Sequence, residues 1–115
     1  MGIQELTENI ILIELPPENT KIAAELKAVN KTLNDTCGCD IIVDFARVEI
    51  LASSNISNLL IMRGLLEESG HKLILCNIST MTKCIFVVAG LGEVFNFADN
   101  TSAAMAEIQS ANETA

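Results

Sequence analysis

Tryptophan and tyrosine are absent from this 115-residue sequence, and four phenylalanines are its only aromatics. The core must therefore be aliphatic, drawn from Ile, Leu, Val and Ala. Cations are scarce as well: seven Lys and Arg stand against fifteen Asp and Glu, a net charge of −8. Nucleic-acid binding needs clustered cations to displace phosphate counterions. The chain has no such cluster, so no direct contact with nucleic acid is expected. The same deficit argues against an anionic membrane surface. No apolar run approaches the ~20 residues that cross a bilayer, so membrane insertion is not expected. Met1–Glu8 lacks the positive charge and long apolar stretch of a secretory signal, which points to the cytoplasm.

Half of the residues are apolar and 19% are charged. That is enough apolar surface to offset chain entropy in one domain, but not in two. A single domain is predicted over residues 1–115, with its core at about 9–108. Asn9–Leu15 (NIILIEL), stopped by Pro16 and Pro17, reads as a buried strand. Asn19 or Thr20 is placed to cap a helix whose Ile22, Leu26, Val29 and Leu33 share one face. Ile41–Phe45 (IIVDF) is a second buried strand. A helix starting at Ser53 or Ser54 then runs to Gly70, a residue suited to a left-handed cap. Lys72–Asn77 (KLILCN) is a third strand. Ser79 or Thr80 caps a short helix with Met81, Cys84, Ile85 and Val88 on its inner face, ended by Gly90. Val94–Phe97 is a fourth strand, and Asn100 or Thr101 opens a last helix to about Ile108, with Gln109–Ala115 a frayed tail. Met1–Leu6 can add an edge strand. Alternating strands and helices imply an α/β fold: a mostly parallel sheet of four or five strands, packed by about four helices.

Residues that could carry catalysis are few. His71 is the only histidine, and it lies in a turn, where a solvated side chain is the ordinary expectation. Cys37 and Cys39 form a C-x-C pair, short of the four ligands that structural zinc requires. Cys76 in a strand and Cys84 on an inner helix face are expected to pack as small hydrophobes. Without an export signal the four cysteines read as free thiols, with no metal and no cofactor. Phosphate-binding and dinucleotide glycine motifs are missing. Glu67 and Glu68 read as a solvated helix end, without a second acid facing them across a cleft. No enzymatic activity is expected.

The conspicuous stretch is Ala52-Ser53-Ser54-Asn55, where the long second helix starts. Ser and Asn are preferred helix caps, which is the structural reading. The functional one is a hydroxyl placed to carry phosphate, because exposed N–H groups and the helix dipole favour an anion there.

Three segments resemble the STAS domain, and in particular the anti-sigma-factor antagonists of bacteria. Ile41–Phe45 with Val48–Leu60 (VEILASSNISNLL) resembles the strand and the "D-S-[ST]-G-[hydrophobic]-x-x-L" motif of that family. Gly70–Ser79 (GHKLILCNIS) resembles its next strand, and Val88–Phe97 (VAGLGEVFNF) its "G-L" turn. The resemblance spans about Asn9 to Ile108 and implies a mixed sheet and a regulatory protein that works by partner switching. The unphosphorylated form would bind an anti-sigma factor that is also a serine kinase, and phosphorylation would break that complex. Matched position by position, the phosphate acceptor falls on Ser53 and the second hydroxyl on Ser54. Ala52 stands in place of the family's Asp, Asn55 and Ser57 in place of glycines, and Asn19 near another family Asp. These positions, Asn19, Ala52, Ser54, Asn55 and Ser57, mark the expected partner-binding surface. The departures also leave room for a scaffold or a transporter-associated STAS subunit that is not phosphorylated.

Overall fold

The apolar runs and the turn residues between them build a five-stranded sheet with helices on both faces. The structure, a computed structural model, describes residues 2–35 and 38–114, with side chains through 111. In chain order the elements are β1 (Gly2–Thr7), β2 (Ile10–Glu14), α1 (Asn19–Asp35), β3 (Asp40–Asp44) and α2 (Ser53–Glu68). Then come β4 (Leu73–Cys76), α3 (Thr80–Val88), β5 (Asn96–Ala98) and α4 (Thr101–Thr114). The strands lie in sequential order; β1 pairs antiparallel with β2, and β2 to β5 are parallel. The α/β expectation holds, with five strands, and the N-terminal segment does form the edge strand.

Central strands covered on both sides need no polar alternation. Ile13, Val43 and Leu75 point into the larger core with α1, α2 and Phe86 of α3. Leu12, Ile42 and Ile74 point to the opposite face, against Ala104 and Ile108 of α4. Both α2 and α3 stop at a left-handed glycine: Gly70 (φ 77°) and Gly90 (φ 79°). The His71 N–H then returns to the Leu66 carbonyl, and the Leu91 N–H to that of Phe86, each at 2.8 Å. Asp40 joins two strand starts, its carboxylate accepting the Lys72 N–H at 2.7 Å.

Three local expectations are corrected. The inner face of α3 is Thr82 and Phe86, whereas Met81, Cys84 and Val88 are exposed. The apolar spacing of Met81, Cys84, Ile85 and Val88 does not decide which side packs inward. Phe86 does, through edge-on contacts with Phe95 and Phe97 at 5.3 and 5.7 Å. The last strand is Asn96–Ala98, not Val94–Phe97, because Val94 is held in a turn by its N–H to the Leu91 carbonyl. Finally, α4 continues to Thr114 without a Gly or Pro to stop it, so Gln109–Thr114 is helix, not a frayed tail.

Candidate functional site

Parallel strands deliver their carboxyl ends to one rim of the sheet, so the loops after β2 and β3 meet there. Asn19, the first residue of α1, joins them. Its Nδ2 donates to the Ile50 carbonyl and its Oδ1 accepts the Ala52 N–H, both at 2.9 Å. One side chain thus clasps the segment that leads into α2. Asn19 does not cap its own helix; the Glu18 carbonyl accepts the Lys21 and Ile22 N–H groups at 3.0 Å. Beside it, the Lys21 ammonium lies 2.8 Å from Glu18, and this hydrogen bond holds the exposed Glu18 carboxyl below its ordinary range.

Helix α2 starts at Ser53 as expected, but its cap is different. The N-cap of α2 is Ala52, whose extended backbone (φ −70°, ψ 147°) offers no side-chain acceptor. The Ala52 carbonyl receives the Asn55 N–H at 2.9 Å. Ser53 and Ser54 are already inside the helix, exposed, and neither hydroxyl caps it. Ser57 is exposed one turn on, and Ala52 is half-buried. By contrast Ser79 caps α3 as expected, its Oγ accepting the Thr82 N–H at 3.1 Å, and Asn100 caps α4 through the Ala103 N–H at 2.8 Å.

Asn55 is not on a partner-facing surface; it is fully buried. Its Nδ2 donates to the backbone carbonyl and Oδ1 of Asn19 at 3.1 and 3.2 Å. Its Oδ1 accepts from Asn58 at 3.3 Å, and the Asn58 carbonyl accepts from Asn30 of α1 at 2.9 Å. Four asparagines thus run from the rim into the α1–α2 interface, ending at Asn30 Oδ1, which is buried without a partner among the described residues. Asn58 and Asn30 escaped the sequence reading. The available signal was their phase: Asn58 falls beside Leu59, Met62 and Leu66 on the buried face of α2, and Asn30 beside Val29 and Leu33 on that of α1.

Elsewhere the chemistry is sparse. Nδ1 of His71 lies 3.4 Å from Oδ1 of buried Asp40, so the ring is half-buried against β3 and not a freely solvated turn. Cys76 is buried, and that burial pushes its thiol pKa up, partly offset by the Thr101 hydroxyl at 3.7 Å. Cys84 is exposed, which corrects its placement on an inner face, and Cys39 is half-buried. Cys37 lies outside the described residues. Among the described residues no group of three or more His, Cys, Asp or Glu could hold a metal ion, and no helix is long and apolar enough to cross a membrane.

A STAS domain family model matches residues 6–104. The chain belongs to the STAS domain family. It is a family of regulatory interaction modules, not typically enzymes. Solved structures share the fold at low sequence identity. A Ser-to-Glu variant of RsbS from Moorella thermoacetica is 12% identical, with 97% of each chain covered and a TM-score of 0.83. The anti-sigma factor antagonist SpoIIAA, in its unphosphorylated form, is 20% identical, with 95% of this chain and 96% of that one covered and a TM-score of 0.79. A sulfate transporter family protein from Wolinella succinogenes is 22% identical over 96% of this STAS domain and 93% of its own chain, with a TM-score of 0.76. Comparison with curated protein sequences gives no match.

Proposed function

We propose that this STAS domain is a cytoplasmic regulatory module that binds a protein of the anti-sigma factor/serine kinase kind and is switched by phosphate on Ser53. The observation that carries this reading is the state of the Ser53 hydroxyl: exposed in the first turn of α2 and not engaged as a cap. A residue spared from structural work can be modified without unfolding its helix. The first-turn N–H groups and the positive end of the α2 dipole favour the added anion. A phosphate brings about −1.5 to −2 charges at pH 7 to a chain that is already acidic, which repels an acidic or apolar partner surface. Ser54, Ser57, Ala52 and Asn19 border the same rim.

A second reading is a scaffold or transporter-associated subunit without phosphorylation. Ala52 favours it, because no carboxylate stands at the position where the family carries Asp. Intact-mass measurement on protein from its native cell, followed by peptide mapping, separates the two. One phosphate on Ser53 supports the switch. Unmodified protein under every growth condition, with partner binding indifferent to Ser53→Asp, leaves the scaffold.

A further inference from the structure

Helix α2 carries two seams. Asn55, Leu59, Met62 and Leu66, at spacings of four, three and four, are buried against α1 and the sheet. Ser53, Ser57, Leu60 and Gly64 repeat the same spacing on the opposite side, and all four are exposed. Within that outer seam Leu60 and its neighbour Ile61 are 37% and 54% exposed. Gly64 has no internal justification: nothing lies within 4 Å of the position a Cβ would take, and glycine inside a helix is destabilising relative to alanine. A close approach from outside the chain would give it a use.

We infer that this outer face pairs two copies of the chain, with their α2 helices antiparallel across a twofold axis. The exposed residues of α2 are symmetric about the Leu60–Ile61 bond. Antiparallel pairing there sets Leu60 against Ile61, Ser57 against Gly64, Ser54 against Glu67 and Ser53 against Glu68. Apolar meets apolar, and small meets small where the backbones come closest. At each end the carboxylates of one copy meet the hydroxyls and the uncapped, positive N-terminus of the other. Glu67 is partly satisfied by Arg63 at 3.0 Å, which leaves Glu68 as the main acid for that contact. A parallel pair would bring Glu67 and Glu68 against their own copies, in chains that each carry −8. The electrostatics therefore select the antiparallel pair.

A stable interface needs about 800 Å² from each partner, more than one helix face supplies. On the same side of the sheet, α3 leaves Met81, Val87 and Val88 69%, 58% and 88% exposed, which adds apolar surface beyond α2. The antiparallel α2 pair is self-complementary, as an isologous dimer requires. The pairing goes beyond the phosphate switch and does not rest on it, although it would cover Ser53.

Sedimentation velocity of the full chain over a concentration series tests the pairing. The wild type should dimerise reversibly. Leu60→Glu and Gly64→Leu should each raise the dissociation constant by about thirtyfold or more, at unchanged circular dichroism, as central contacts do. Ser53→Glu should weaken pairing by facing Glu68, and adding Glu68→Arg to it should restore pairing. A wild type monomeric throughout overturns the inference, as does a dimer indifferent to Leu60→Glu and Gly64→Leu. A monomer that loses a different protein through these substitutions assigns the face to that protein and equally overturns self-pairing. A missing phosphate on Ser53 leaves all of these outcomes unchanged, so the two readings fail separately.

Discussion

Asn55, with no exposed surface, donates through Nδ2 to both the backbone carbonyl and Oδ1 of Asn19 at 3.1 and 3.2 Å. It thereby couples the first residue of one helix to the buried face of another, behind the segment that presents Ser53. The clasp is uncharged, so it holds the rim without adding to the acidity of the chain.

Asn55→Asp should cost about 2–4 kcal/mol, because two oxygens of Asn19 would face a buried carboxylate. Urea unfolding at neutral pH measures it, and part of the loss should return on acidification as the carboxylate is protonated. In a double-mutant cycle Asn19→Ala and Asn55→Ala should be non-additive by at least about 0.5 kcal/mol. Strict additivity would show that the pair is not coupled.

Ser53→Ala and Ser54→Ala should each change stability by less than about 0.5 kcal/mol, since neither hydroxyl caps α2. Ser79→Ala should cost about 1 kcal/mol, because its Oγ accepts the Thr82 N–H. Three thermal melts compare them. A loss at Ser54 matching that at Ser79 would reassign the cap.

Ile42→Asp should unfold the chain. Ile42 is fully buried in the central strand beneath α4, and an unpaired carboxylate there costs several kcal/mol, comparable with the whole stability of about 5–15 kcal/mol. Loss of the cooperative melt is the expected reading.

The raised pKa of Cys76 carries a pH dependence. Its folded thiol holds the proton more tightly than the unfolded one, near about 8.5. Its contribution to stability is therefore complete below that value and is lost as pH rises toward and through the folded pKa. Urea midpoints should fall across this alkaline range, and Cys76→Ala should flatten the fall. In the native protein at neutral pH, iodoacetamide should modify exposed Cys84 well before buried Cys76.

Long-range order was legible where burial imposes a simple rule. The runs at Ile10–Ile13, Ile41–Val43 and Leu73–Leu75 became adjacent parallel strands because only covered strands are apolar on both faces. Gly70, Gly90, Ser79 and Asn100 ended or began helices as their backbone chemistry requires. The helix α3 was misread because its apolar spacing marks Met81, Cys84, Ile85 and Val88, whereas Phe86 turns a different side inward through Phe95 and Phe97. The start of α2 at Ser53 was legible, but its cap was misread: Ser and Asn are good caps in isolation, whereas here the cap position is Ala52, whose N–H Asn19 holds from another element.

By itself, then, the sequence determined the fold class, the order of the elements and the start of α2 at Ser53, because these follow from local periodicity and turn chemistry. Tertiary structure alone decided that Asn55 is a buried hub and Asn19 a clasp, and that Cys84 and Val88 face outward while Phe86 faces in. The physical reason is distance along the chain. A carboxamide that caps, clasps or bridges is chemically the same residue, and only the donor or acceptor brought to it from thirty or more positions away selects its role.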